Sequence, residues 1–163
     1  MSSNRTINAV IEGFVSADSA TKQEQGRRFA YVLGLTPGPS GAEGGIDGDG
    51  VVDGSKIYFQ SKLKSSKLGA EEAGIFYSNL VLHQADIGIL LAGVGYTAAT
   101  PSLPNAGFQN RLLEFPNLEN YRIHLLSLRD ILFEDTPQWD RAVQDLPPLR
   151  ELTREAWDAL NEK

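Results

Sequence analysis

Lys56-Ile57-Tyr58-Phe59-Gln60-Ser61-Lys62-Leu63-Lys64 sets polar or charged side chains and hydrophobes at alternating positions. In an extended strand, side chains two apart share a face. Ile57, Phe59 and Leu63 then point one way, and Lys56, Tyr58, Gln60, Lys62 and Lys64 the other. A cationic face interrupted by an aromatic ring suits single-stranded nucleic acid, because phosphates meet amines and a base stacks on the ring. Arg27, Arg28 and Lys67 are candidates to extend that face. The competing reading is a solvated edge strand, on which lysine discourages unwanted pairing.

The chain has 163 residues, enough for one domain with a proper core and short for two. A hydrophobic fraction of 41% with 22% charged residues describes an ordinary globular composition and excludes disorder throughout. The formal net charge of -6 argues against holding duplex DNA by charge alone, though a local basic groove is compatible with it. Absent cysteines exclude disulfides, thiolate metal sites and thiol nucleophiles. With only His83 and His124, a histidine-rich metal centre is excluded as well. The beginning of the chain lacks the apolar core of a classical secretion signal, and the most apolar window, Ile87 to Val94, is too brief to cross a bilayer. A cytoplasmic or virion-borne protein is the expectation.

Thr6 to Val15 and Arg27 to Leu35 read as strands from their β-branched and aromatic content, joined by the small, polar stretch Ser16 to Gly26. Residues 36–54 are rich in Gly, Pro and Ser and read as a long loop. A helical start at Ala70 is followed by strands over Ile75 to Leu82 and Ile87 to Tyr96, and Tyr121 to Phe133 reads as a last strand. Thr136 and Pro137 form an N-cap and first-turn proline for a helix over Gln138 to Leu146. Leu149, Leu152, Ala156, Trp157 and Leu160 recur at helical spacing beyond Pro147 and Pro148. The expected architecture is α+β and mainly β: a small barrel or sandwich of about five to seven strands over residues 1–135. Residues 136–163 form a helical tail packed on that domain or on a neighbouring subunit.

Asp47-Gly48-Asp49-Gly50-Val51-Val52-Asp53-Gly54 resembles the middle of an EF-hand calcium loop when Gly50 takes the obligatory glycine position. Asp47, Asp49 and Asp53 then fall on ligand positions, and calcium is the one cofactor the sequence raises. Gly45 in the first ligand position and Lys56 in place of the bidentate glutamate break the pattern, which favours an acidic turn between strands. Among the 21 acids no spacing singles out a catalytic pair, and neither a nucleotide-binding glycine loop nor a nucleophile elbow is present. His83 and His124 lie in apolar runs that suit satisfied core residues. Trp139 and Trp157 suit either a docking surface or packing of the tail.

Asn8, Val10, Ile11, Gly13, Asp18 and Gly26, followed by Phe29 to Leu35, resemble the opening hairpin of OB-fold single-stranded DNA-binding proteins. The resemblance covers about the first fifth of the chain, and it implies a β-barrel that binds single strands as a homo-oligomer. The chain departs from that family in having no tryptophan on the candidate binding strands and helices in its tail. The expectation is therefore a non-catalytic binding protein that holds single-stranded nucleic acid through Arg27, Arg28, Lys56, Tyr58, Lys62 and Lys64. The alternative is a self-assembling structural protein, a virion or filament subunit whose partners are copies of itself. No membrane partner is expected.

Overall fold

The computed structural model describes residues 4–38, 46–98, 107–133 and 136–146. The elements are α1 (Asn4–Val15), α2 (Ser19–Val32), β1 (Thr36–Pro37), β2 (Gly48–Val52), β3 (Ser55–Lys62), α3 (Ala70–Leu82), β4 (Ile87–Ala92), α4 (Phe108–Leu112), β5 (Arg122–Ser127), α5 (Leu128–Phe133) and α6 (Pro137–Asp145), with a 3-10 turn at Leu118–Asn120. The class is α+β, and the five strands form one open sheet in the order β1-β2-β3-β4-β5. β2 is antiparallel to its two neighbours β1 and β3, whereas β4 runs parallel to β3 and β5 parallel to β4. The expectation of a mainly β barrel or sandwich is corrected: the sheet does not close, and helix outweighs strand.

Ile7, Ile11 and Val15 recur every fourth residue and bury one stripe of α1. This periodicity outweighs the β-branched content that suggested a strand over Thr6 to Val15. Asp18 caps α2 by accepting the Thr21 N–H at 2.7 Å, and that bond holds its carboxyl below the usual range. Phe29, Ala30 and Leu33 are buried on the following turns, so the expected strand over Arg27 to Leu35 is mostly the end of α2. The residues that carried the OB-fold resemblance thus lie on a pair of helices and not in a hairpin. Ala73, Phe76 and Leu80 make the buried stripe of α3 over residues expected in part as strand, and Glu71 and Glu72 in its first turn complement the helix dipole.

Two apolar layers sandwich the sheet. On one side Ile57, Phe59, Ile87, Ile89 and Leu91 pack with α1, α2, α5 and α6. On the other, Tyr58, Leu90 and Ala92 pack with Ala73, Phe76 and Leu80 of α3 and Phe108 and Leu112 of α4. Every residue of β4 is buried, as a strand covered on both faces requires. The expected loop over 36–54 contains β1 and β2, and a two-residue turn at Asp53 and Gly54 joins β2 to β3. Both turn residues have positive φ, 51° and 82°, as a type I′ hairpin turn demands.

The expected strand over Tyr121 to Phe133 divides into β5 and α5. Asp130 accepts the Ser127 N–H at 2.7 Å and its hydroxyl at 3.2 Å, which turns the chain from strand into helix. Thr136 caps α6 by accepting the Trp139 N–H, and Trp139 is buried in the core, where it packs the helix. The first part of the expected tail therefore belongs to the same core. The expected second tail helix, including Trp157, lies outside the described residues, and none of the described helices is long and apolar enough to cross a membrane.

Gly88 tests this packing. A Cβ there would sit 2.5 Å from Leu80 Cδ2 and 2.9 Å from Phe76 Cζ. Gly88→Ala is expected to destabilise the fold by about 1–3 kcal/mol in urea titrations. Gly13 lies in α1 with no atom within 4 Å of its Cβ direction. Gly13→Ala is expected to stabilise by about 0.5–1 kcal/mol, and loss of stability there would contradict the exposed helical placement.

Candidate functional site

Asp47 lies immediately before β2. Its N–H donates to the Phe59 carbonyl at 2.9 Å, and its own carbonyl accepts the Gly38 N–H at 2.8 Å. The β2–β3 ladder has ended at Gly48 and Phe59, so the Ser61 N–H has no strand partner on that side. The Asp47 carboxylate takes that place: Oδ2 accepts the Ser61 N–H at 2.6 Å and the Ser61 hydroxyl at 3.2 Å. α2 crosses directly above. A Cβ on Gly26 would lie 3.1 Å from Asp47 Cγ and would collide with the Ser61 hydroxyl, so only glycine lets the helix approach this closely. Gln25, one residue earlier, carries a buried Oε1 with no hydrogen-bond partner among the described residues.

Burial raises the Asp47 carboxyl above its ordinary value, against the opposing pull of the Ser61 N–H, the Ser61 hydroxyl and the nearby charge of Lys62. The carboxylate is thus held in a place where its charge is incompletely compensated. On β3, Gln60 follows Tyr58 on the same face and is only 3% exposed. Its Oε1 accepts from the Tyr58 hydroxyl at 3.0 Å and from Asn79 Nδ2 of α3 at 3.5 Å. Lys62 comes next on that face, half-buried, at the carboxyl end of the strand. The Asp47 carboxylate thus lies on Ser61 beside α2, the Gln60 amide lies with Tyr58 and Asn79 beside α3, and Lys62 follows at the carboxyl end of β3.

The expected basic-aromatic face is only partly assembled. Tyr58 is 1% exposed and stacks on His83 with ring centroids 5.0 Å apart. The expectation that it stacks on a base is therefore corrected: β3 is the middle strand, and its alternate face lies beneath α3. Lys56 lies at the opposite end of β3, about 20 Å from Lys62 at the usual strand rise. Lys64 pairs with Glu72 at 2.7 Å. Arg27 stays with the cluster: it donates to the Gly38 carbonyl at 2.8 Å and pairs with Glu24 at 3.0 Å. Arg28 follows it, half-buried on α2.

The calcium-loop alignment is not realised as a cluster. Asp49 is exposed on β2, Asp53 occupies the hairpin turn, and Asp47 turns onto β3. No group of three or more acidic, histidine or cysteine side chains gathers among the described residues. The contact overlooked in the sequence was that of Asp47 with Ser61 at the end of β3. The missed signal was Asp53-Gly54: read as a two-residue turn, it pairs Val52 with Ser55, and counting back along both arms brings Asp47 opposite Gln60.

A separate concavity of about 950 Å³ runs along β5, lined by Tyr96, Gln109, Phe115, His124 and Arg141 among others. It contains none of Asp47, Gln60 and Lys62. His124 at its wall bonds Asp145 at 2.7 Å and so fastens α6 to β5.

The raised Asp47 carboxyl has a definite pH signature. A carboxyl whose folded value exceeds its unfolded value favours the fold while protonated, so stability is lost as pH rises from about the unfolded value, 3.8, through the raised one. Asp47→Asn retains an acceptor for Ser61 and removes that loss. In urea titrations at pH 4 and pH 7, the variant is expected to gain stability relative to the parent as pH rises. A constant difference would mean that burial does not perturb this carboxyl.

The chain matches no protein-family model, no curated protein and no solved structure.

Proposed function

We propose that the protein is a divalent-cation-dependent phosphodiesterase that acts on nucleic acid at Asp47 and Lys62. The observation that carries this reading is the half-buried Asp47 carboxylate, fixed by Ser61 through Oδ2, with the charge of Lys62 nearby. A partly desolvated carboxylate of this kind favours added positive charge. Hard cations such as Mg²⁺ take oxygen ligands, commonly one or two carboxylates together with substrate phosphate. One carboxylate is too little for a closed cage, which suits a site whose substrate completes the coordination.

Each residue then has a stated task. Asp47 is the oxygen donor, with Ser61 fixing its carboxylate. Lys62 offers a compact positive charge to the phosphoryl oxygens as charge develops on them. A bound cation would neutralise phosphate and lower the pKa of water. In the overall reaction, water adds its oxygen to phosphorus and one bridging P–O bond breaks. The departing oxygen takes a proton from solvent, and the proton lost by water returns there.

A polymeric substrate is favoured by the cations around the cluster. Arg27 lies on the α2 side, and Lys62 leads on to Lys64 and Lys67 along the chain. The net charge of -6 confines attraction to this local patch and makes it sensitive to salt.

Labelled single-stranded and duplex oligonucleotides incubated with Mg²⁺ or Mn²⁺ are expected to be cleaved, and a chelator is expected to stop the reaction. Asp47→Asn and Lys62→Ala should each lower the rate by about 100-fold or more. Binding without cleavage under all of these conditions would overturn the proposal and leave a non-catalytic strand-binding protein.

A further inference from the structure

β5 is the last strand of the sheet, and no further strand pairs with it among the described residues. The Arg122 N–H donates to the Asp86 carbonyl at 3.0 Å, and the register sets Arg122, His124 and Leu126 opposite Ile87, Ile89 and Leu91. Backbone groups alternate in direction along a strand, so these three residues bond β4. Ile123 and Leu125 therefore turn two N–H and two C=O groups away from the sheet. The opposite edge is blunted, since β1 has only two residues and one is Pro37. β5 has six residues, with neither lysine nor proline.

This open edge is recessed, because the concavity of about 950 Å³ follows it between the two helical layers. One wall is apolar: Leu112, Phe115 and Leu118 belong with Ile123 and Leu125 to the layer of α3 and α4. The other wall is α6, which contributes Gln138 and Arg141. Both walls are fastened. Asp145 of α6 meets His124 at 2.7 Å and Arg122 at 3.4 Å. On the apolar side, Tyr77 stacks on Phe115 at 4.5 Å and donates its hydroxyl to the Pro116 carbonyl at 2.6 Å.

We propose that this slot binds an extended acidic segment of another protein, which adds a sixth strand beside β5. The proposal is independent of the phosphodiesterase reading. Free N–H and C=O groups in a row are matched by a peptide backbone. Side chains of an added strand alternate between faces, so every second one meets the apolar wall and those between face α6. Arg141 is exposed there and forms no ion pair or hydrogen bond among the described residues, so its charge is complemented by a carboxylate. Glu119 also lines the concavity, just before β5, and disfavours a carboxylate at that end. The matching ligand thus alternates apolar and acidic residues. A second copy fits less well: two edges recessed in this way meet wall to wall before reaching the spacing of about 4.8 Å that paired strands need.

The probe is a labelled eight-residue peptide alternating valine and glutamate, titrated by fluorescence anisotropy into the full chain. Arg141→Glu, at an exposed position, is expected to weaken its binding about fivefold or more and to favour the matching valine–lysine peptide instead. Two further peptides are methylated on the valine nitrogens or on the glutamate nitrogens, which blocks one edge of the strand in each. One of them should bind at least about tenfold more weakly than the other, because a single edge faces β5. Hydrogen exchange at the Ile123 and Leu125 amides should slow when the unmethylated peptide is added. No binding, equal affinities of the two methylated peptides, or an unchanged preference in Arg141→Glu would overturn the proposal. Protection of both amides before any peptide is added would overturn it too. With a mass that rises with concentration, such protection assigns the slot to a second copy; with the mass of a monomer, to a segment of the same chain.

Discussion

The position of β3 governs everything else in this molecule. It is paired along both edges and covered on both faces, with Ile57 and Phe59 in one apolar layer and Tyr58 in the other. Its antiparallel edge needs only a tight turn to β2. The parallel edge to β4 requires a crossover, and α3 is that crossover. A strand enclosed in this way can present polar groups only where it runs out of the core. That point is its carboxyl end, where Ser61 meets Asp47 from just before β2 and Lys62 follows. The candidate site is where the middle strand leaves the core.

Enclosure also explains what the sequence disclosed. The helix over Pro137–Asp145 was legible because Thr136 and Pro137 are local signals that act within one turn. β4 was legible as an unbroken apolar run, and β3 as an alternating one. The sign of that alternation misled: Tyr58 and Gln60 look like outward partners of Lys56 and Lys62, yet a second helical layer covers them. Whether α3 lies over that face is a tertiary fact that no local periodicity reveals. The first two helices were misread for a related reason. β-branched residues in α1 favour strands by propensity, but burial of Ile7, Ile11 and Val15 against the sheet overrides a preference of tenths of a kcal/mol per residue.

The site also bears the marks of a place not arranged for stability. Asp47 is half-buried with its carboxyl raised, Gln25 holds a buried oxygen without a partner among the described residues, and Gly26 gives up a side chain in mid-helix. Each costs stability by ordinary physical chemistry. Their coincidence within one close approach of α2 to β3 is what singles out this region from the rest of the surface. The acid-histidine pair at His124 and Asp145 is a different case, since both partners are satisfied and the contact joins helix to strand.

The register on which the cluster depends is set at the far end of the hairpin. Asp53 and Gly54 adopt positive φ and close a two-residue turn, which fixes Val52 opposite Ser55 and each residue of β2 opposite one of β3. A slip of one residue would move every side chain of one strand to the other face. Gly48 would then no longer sit beneath Ala30, and the Asp47 carboxylate would lose Ser61. Glycine at position 48 makes such a slip costly, because a Cβ there would lie 2.5 Å from Ala30 Cβ. The arrangement of Asp47, Gln60 and Lys62 is therefore specified by a turn about 16 Å away at the usual strand rise, and by one glycine beneath α2.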